Sequence, residues 1–285
     1  MGRLDVEDGA FVLVDGEGIR VQIPIGSLTC LFLEPGTVVT HAAVRLAAQV
    51  GCLLIWTGDG GVRFYAAGQP GGARSERLLH QARLALDDGL RLAVVRKMYA
   101  LRFGEDPPAK RSLDQLRGIE ASRVKRIYEN LAAKHHVRWH GRDYDPRRGG
   151  SLGKDLPNIC LSAANACLYG VCEAAILAAG YAPSIGFLHT GKARSFVFDI
   201  GDLLKFETVA PLAFRVAAEK PENPERAVRL ACRDAFRAGR ILQRLVPLIE
   251  DVLSVEGLVP PAPAPEAMPI AFDDEEATGD AGHRS

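Results

Sequence analysis

The chain is predicted to be α+β: a small N-terminal β-rich domain, a larger all-helical domain, and a disordered C-terminal tail. Three observations predict this. Residues 1–67 carry short extended runs separated by Gly-rich turns, from residue 74 onward apolar residues recur at helical spacing, and from residue 260 the chain turns Pro-rich and then acidic. The expected organisation is a β domain over 1–67, a linker over 68–73, a helical domain over 74–255 and a tail over 256–285.

In order along the chain, "GAFVLVDGEGIRVQIP" is two extended runs around Asp15-Gly16-Glu17-Gly18, a hairpin signal. "LTCLFLEPG" is a buried strand closed by Pro35-Gly36. "THAAVRLAAQVG" is a short helix with Thr40 as N-cap and Gly51 just past its end. "CLLIWTGDGGVRFYA" is a second hairpin turning at Gly58 to Gly61, and "GQPGGAR" is the linker. Helices are then expected over 74–88, 89–103, 112–135, 158–180, 195–218 and 225–254, with a polar loop over 139–158. No internal repeat is visible.

The bulk numbers exclude several classes. With 47% hydrophobic and 25% charged residues, the composition is that of a globular protein. No run of eighteen apolar residues predicts a membrane span, and the start has no basic flank or apolar core of a signal peptide. A cytoplasmic protein is expected. The six cysteines sit in apolar contexts without a C-x-x-C pair, which predicts buried reduced thiols rather than disulfides or a zinc site. The net charge of +0 hides segregation: fifteen Lys and Arg face seven Asp and Glu over 91–148, and one faces seven over 256–285. A basic middle suggests a polyanionic partner.

Chemistry enters with misplaced acids. In "SLDQLRGIEASRVKRIYENLAAKH" the apolar stripe is Leu113, Leu116, Val124, Ile127 and Leu131. Glu120 lies on that stripe, so it points to the core side. It is either half of a buried ion pair, to Arg123 or to another helix, or part of a site. In "SFVFDIGDLLKF", Asp199 and Asp202 leave one face of an oily helix. Two such carboxylates cannot both ionise cheaply without a cation. Lys205, three residues past Asp202, is one candidate partner, and a divalent metal is the other. His189 stands in the loop before this helix. One imidazole with carboxylates is a mostly oxygen set, suited to Mg²⁺ or Mn²⁺ rather than zinc, and to phosphoryl transfer.

The third feature is arginine. Arg226, Arg229, Arg233, Arg237, Arg240 and Arg244 fall at steps of three and four, which predicts one stripe along one helix. It is either a solvated face with local pairs to Glu225 and Asp234, or a track for phosphates. Lesser candidates are Arg74, Arg77, the Arg123–Lys125–Arg126 cluster, and Arg142, Arg147 and Arg148 around Tyr144. His135, His136 and His140 have no completing ligand and read as surface residues. "GQPGGAR" is no phosphate loop, since no Gly-Lys-Ser/Thr follows.

Several long stretches resemble a known family. "EPGTVVTHAAVRLAAQVG", "YAAGQPGGARSERLL", "LRGIEASRV", "LYGVCEAAILAAGYAPSIGFLHTGK", "FVFDIGDLLKFETVAP", "VRLACRDAFR" and the terminal "GDAGHRS" are similar to the integrase of CRISPR adaptation, CRISPR-associated protein one, in its type I-E subtype. The resemblance implies an N-terminal β domain and a helical catalytic domain. It implies a homodimer, and two such dimers around a dimer of a small ferredoxin-like second adaptation protein. It implies insertion of short DNA segments into a repeat array. The family's metal-site residues fall on Glu120, His189 and Asp202, with Asp199 as the second of its paired aspartates. Its basic helix falls on the Arg229 and Arg233 region, and its stacking tyrosine on Tyr144; the residues expected to contact DNA are Arg226, Arg229, Arg233, Arg237, Arg240, Lys192, Lys205, Arg123 and Tyr144. Phe198 stands where close relatives often have Tyr, the tail after Pro265 differs, and the chain is expected to start immediately before its first strand.

The mechanism this implies is attack of a donor 3′-hydroxyl on a phosphodiester of the repeat. Glu120, His189 and Asp202 are expected to hold Mg²⁺ or Mn²⁺, and Asp199 to orient a bound water or a second ion. Two other readings share these residues: a branched-DNA repair nuclease, and a non-catalytic DNA-binding scaffold with a purely structural acidic cluster.

Overall fold

Strands come first and helices after, as the patterning requires. The structure, a computed structural model, describes residues 2–25, 28–68, 75–142 and 155–262. The strands are β1 (Gly2–Glu7), β2 (Ala10–Asp15), β3 (Arg20–Ile23), β4 (Cys30–Leu33), β5 (Thr37–Val39), β6 (Leu53–Thr57) and β7 (Phe64–Gly68), with helix α1 (His41–Gln49) between β5 and β6. The helical part comprises α2 (Glu76–Leu86), α3 (Asp88–Phe103), α4 (Leu113–Lys134), α5 (Leu156–Ala178), α6 (Ser195–Leu204), α7 (Val209–Glu219), α8 (Pro224–Ala238) and α9 (Ile241–Val252).

The strands form two sheets, ordered β3-β2-β1-β5 and β4-β6-β7. Both predicted hairpins form: β2 pairs antiparallel with β3, and β6 with β7. Asp15 closes the first by accepting the N–H groups of Glu17 and Ile19, each at 2.9 Å. Two further strands are present. β1 alternates Leu4 and Val6 with Arg3, Asp5 and Glu7, and pairs antiparallel with β2 and parallel with β5. The β4–β6 pair is also parallel, joined across α1. Thr40 caps α1 as expected, its side chain accepting the Ala43 N–H.

One apolar cluster, including Leu4, Phe11, Leu33, Leu46 and Leu54, fills the space between the two sheets and α1. The other face of the second sheet, through Leu53 and Ile55, packs on Ala174 of α5. α5 is the centre of the helical core, with Cys160, Leu161, Leu168 and Cys172 fully buried. It is the one helix among the described residues long and apolar enough to cross a membrane, and its surface is spent on packing. All six cysteines are free thiols; Cys30 alone is partly exposed.

Two expected helices are each split. The 195–218 span is α6 and α7, because Pro211 is tolerated only in a first helical turn. The Thr208 hydroxyl donates to the Leu204 carbonyl at 2.6 Å and caps the break. The 225–254 span is α8 and α9. α8 ends at Gly239, and Arg240 takes a left-handed φ of 48° before α9 begins.

Candidate metal and nucleic-acid site

Glu120, His189, Asp199 and Asp202 come together, from α4, the loop before α6, and α6 itself. The two aspartates serve different ends. Asp199 is fully buried, and its oxygens are taken: Oδ2 accepts the N–H groups of Phe187 (2.6 Å) and Leu188 (3.3 Å), while Oδ1 accepts that of His189 (3.0 Å). Oδ1 also lies 2.8 Å from His189 Nδ1. A carboxylate can only accept, so Nδ1 carries the hydrogen and Nε2 is left with its lone pair available to a ligand. The expectation that Asp199 orients a bound water or a second ion is therefore corrected: it shapes the histidine loop.

That loop is fastened from every side. Gln81 of α2 is fully buried and bonds the carbonyls of Ala182 (3.1 Å) and Ile185 (2.8 Å) and the N–H of Ala182 (2.8 Å). Arg91 of α3 donates to the Phe187 carbonyl at 2.9 Å, and Arg117 of α4 donates to the Leu188 carbonyl. Gly186 is required by close approach, since a Cβ there would come within 2.3 Å of the His189 carbonyl oxygen.

Asp202 faces the other way. It accepts the Tyr169 hydroxyl at 3.0 Å, pairs with Lys205, and lies 3.5 Å from Arg102. Arg102, at the end of α3, also pairs with Glu120. Burial alone would raise the Asp202 carboxyl, but Lys205, Arg102 and His189 outweigh it and hold it below the usual range. For Glu120 burial wins over Arg102, and with the Asp202 charge it holds that carboxyl above the usual range. Burial would depress His189, but the bond to Asp199 and the charges of Asp199, Asp202 and Glu120 raise it.

Arg102, Glu120, Leu188, His189 and Asp202 line both an enclosed apolar cavity of about 20 Å³ and an open groove of about 450 Å³. Lys192, Lys205 and Arg117 edge the groove. The donor set fits a hard divalent ion in kind: two carboxylates and one imidazole nitrogen on an open, polar cavity. As the side chains stand, no three His, Cys, Asp or Glu groups among the described residues converge closely enough to close on one. The guanidinium of Arg102 is interposed between the two acids.

The remaining predicted residues are dispersed. Arg123 does not partner Glu120. It pairs with Glu105 and lies over the rings of Tyr99 (5.3 Å) and Phe103 (5.1 Å). The stripe of six arginines on one helix is corrected: Arg226, Arg229, Arg233 and Arg237 are on α8, Arg240 is in the break, and Arg244 is on α9, paired with Glu207 at 2.5 Å. Arg233 pairs with Asp234 at 3.0 Å and packs beside Gly60 of the β6–β7 turn. None of these residues lines the two cavities. Tyr144, Arg74, Arg147 and Arg148 lie outside the described residues. Arg102, Tyr169 and Arg117 were not anticipated. Arg102 was legible by the same logic as Glu120, since it follows buried Met98 and Tyr99 at helical spacing.

With this geometry in hand, comparison with known proteins is unambiguous. The family model described as CRISPR associated protein Cas1 matches residues 102–227, which span α3's last turn to the start of α8. The chain is 62% identical over 283 residues to the CRISPR-associated endonuclease Cas1 of Geobacter sulfurreducens, covering 99% of this chain and 92% of the relative. It is 61% identical over 284 residues to the Cas1 endonuclease of Escherichia coli K12, covering 100% of this chain and 92% of that one. The solved TtCas1–DNA complex superimposes with a TM-score of 0.80 at 41% identity, covering 90% of this chain and 94% of that one. The chain belongs to the Cas1 family of CRISPR-associated proteins.

Proposed function

We propose that this chain is a metal-dependent DNA endonuclease and integrase of CRISPR adaptation, joining the 3′-hydroxyl ends of short spacer DNA to the repeat. The observation that carries the reading is Glu120, His189 and Asp202 on one open groove edged by Lys192, Lys205 and Arg117. Glu120, Asp202 and His189 Nε2 would hold Mg²⁺ or Mn²⁺, which when bound supplies a Lewis acid for the phosphoryl oxygen and the attacking hydroxyl. Asp199 fixes the ring of His189, and Tyr169 orients Asp202. The cations along the groove hold backbone phosphates on either side of the reacting one. The attacking oxygen belongs to the donor DNA and the leaving oxygen to the repeat strand, so no protein nucleophile is used.

Its substrates on this reading are double-stranded spacer donor and repeat DNA. Its working form is a cytoplasmic assembly of two homodimers around a dimer of the small ferredoxin-like adaptation protein. The support is family membership.

The test is strand transfer with a spacer-like duplex, Mn²⁺ and the small partner. His189→Ala abolishes joining and leaves DNA binding intact; full joining by that variant, or in EDTA, would overturn the assignment. One observation favours a second reading, a DNA-binding scaffold: Arg102 and Lys205 already neutralise the acids. A purely structural cluster predicts no rise in melting temperature with Mn²⁺.

A further inference from the structure

Arg102 is an unusual occupant for a metal centre. Its side chain is 5% exposed, it pairs with Glu120, and it lies 3.5 Å from Asp202. Its guanidinium carbon sits 5.5 Å from the Phe103 ring centroid and 5.1 Å from that of Phe206. Lys205 supplies a second cation to Asp202. The two carboxylates that face the groove, Glu120 and Asp202, are thus matched by two cations before any ion arrives, while Asp199 is met by His189 and by backbone N–H groups.

Adding a divalent ion to that arrangement would place four positive charges against three negative ones, Asp199 included, in a site largely removed from water. Such an excess is costly where the effective dielectric is low. One cation has to leave, and Arg102 is the one with the means to do so. Only one of its nitrogens is committed to Glu120, and its buried Nε has no partner. The same side chain lines the open groove, where a phosphate would lie. Lys205, one turn from Asp202 on the same segment, has a much shorter path to its partner and can stay.

We propose that Arg102 is a positioning residue that holds Glu120 and Asp202 in register as an internal counter-ion, and that a divalent ion binds by displacing its guanidinium into the groove. This rests on the metal reading of the site. It makes two events one: the acids exchange an organic cation for a metal, and the released guanidinium becomes available to a DNA phosphate.

The experiment is calorimetric titration of Mn²⁺ into the full-length protein and into Arg102→Met, which keeps length and removes charge. The variant is expected to bind Mn²⁺ about tenfold more tightly or better, with a lower melting temperature when metal-free. Unchanged or weaker affinity in a folded variant overturns the proposal. Should Arg102→Met fail to fold, the wild-type protein labelled with ¹⁵N-arginine carries the test. On addition of diamagnetic Mg²⁺ the Arg102 Nε–H signal is expected to move to a solvent-exposed position, and an unmoved signal with Mg²⁺ bound overturns the proposal. Failure of the underlying reading looks different: wild type, Arg102→Met and Asp202→Asn would then all fail to bind either ion.

Discussion

Nδ1 of His189 lies 2.8 Å from Oδ1 of Asp199, and the same oxygen accepts the backbone N–H of His189 at 3.0 Å. One carboxylate therefore fixes both the ring and the peptide that carries it. Asp199→Ala would leave three backbone N–H groups and one imidazole nitrogen without their acceptor. We expect a stability loss of about 3 kcal/mol or more by urea unfolding, and a large loss of strand transfer. Asp199→Asn keeps the shape with a weaker acceptor, and its losses should be smaller in both measurements. Equal activity for wild type and Asp199→Ala would remove Asp199 from the account.

Two glycines near the site should respond in opposite directions. Gly186→Ala drives a Cβ to 2.3 Å from the His189 carbonyl oxygen, so the loop has to move and the melting temperature should fall by several degrees. Gly118→Ala sits in the exposed middle of α4 with nothing within 4 Å of the added methyl. It should stabilise by about 1 kcal/mol, because alanine gives up less entropy in a helix.

Along α8, charge reversal separates free arginines from committed ones. Arg226→Glu and Arg237→Glu act on exposed side chains, so each should weaken duplex binding at every sequence and flatten the salt dependence of binding. Arg244→Glu removes a residue already engaged with Glu207 at 2.5 Å, so its effect on DNA should be smaller. Filter binding across a salt series reads both. Indistinguishable slopes for all three variants would take the phosphate-track role away from α8.

A pH-dependent contribution to stability should come from Glu173, which pairs with Arg194 at 2.6 Å. Burial raises its carboxyl above the ordinary 4.5, and Arg194 only partly offsets this. Above pH 4.5 the unfolded chain releases this proton while the folded chain still holds it, so the folded state binds more protons and the Glu173 contribution falls as pH rises. It is fully present below that value and is lost as pH passes the folded-state value. Glu173→Gln cannot ionise. Its stability relative to wild type should therefore rise with pH across this window, and a flat difference would refute the burial argument.

The fold class and most elements were legible because period and punctuation agree: Thr40, Asp15 and the Gly58–Gly61 turn each mark their element by their own chemistry. The breaks at Pro211 and Gly239 were legible too, but an unbroken apolar period hid them. The three acids and the imidazole of the cluster stood out because each violates its surroundings. Arg102 hid at a helix end, where a basic residue is ordinary. The division of labour between Asp199 and Asp202 could not be read, because spacing puts both on one face. Only the path of the 182–189 loop decides which of them meets backbone and which meets side chains.

The bonds that fasten that loop, from Gln81, Arg91, Arg117 and Asp199, all end on main-chain atoms, apart from the one to the imidazole itself. Ala182, Ile185, Phe187 and Leu188 are therefore gripped without regard to what side chains they carry. Natural variation at Leu188, which lines the open groove, can retune that wall while the histidine stays where it is, so the groove's preference can drift without the site having to be rebuilt.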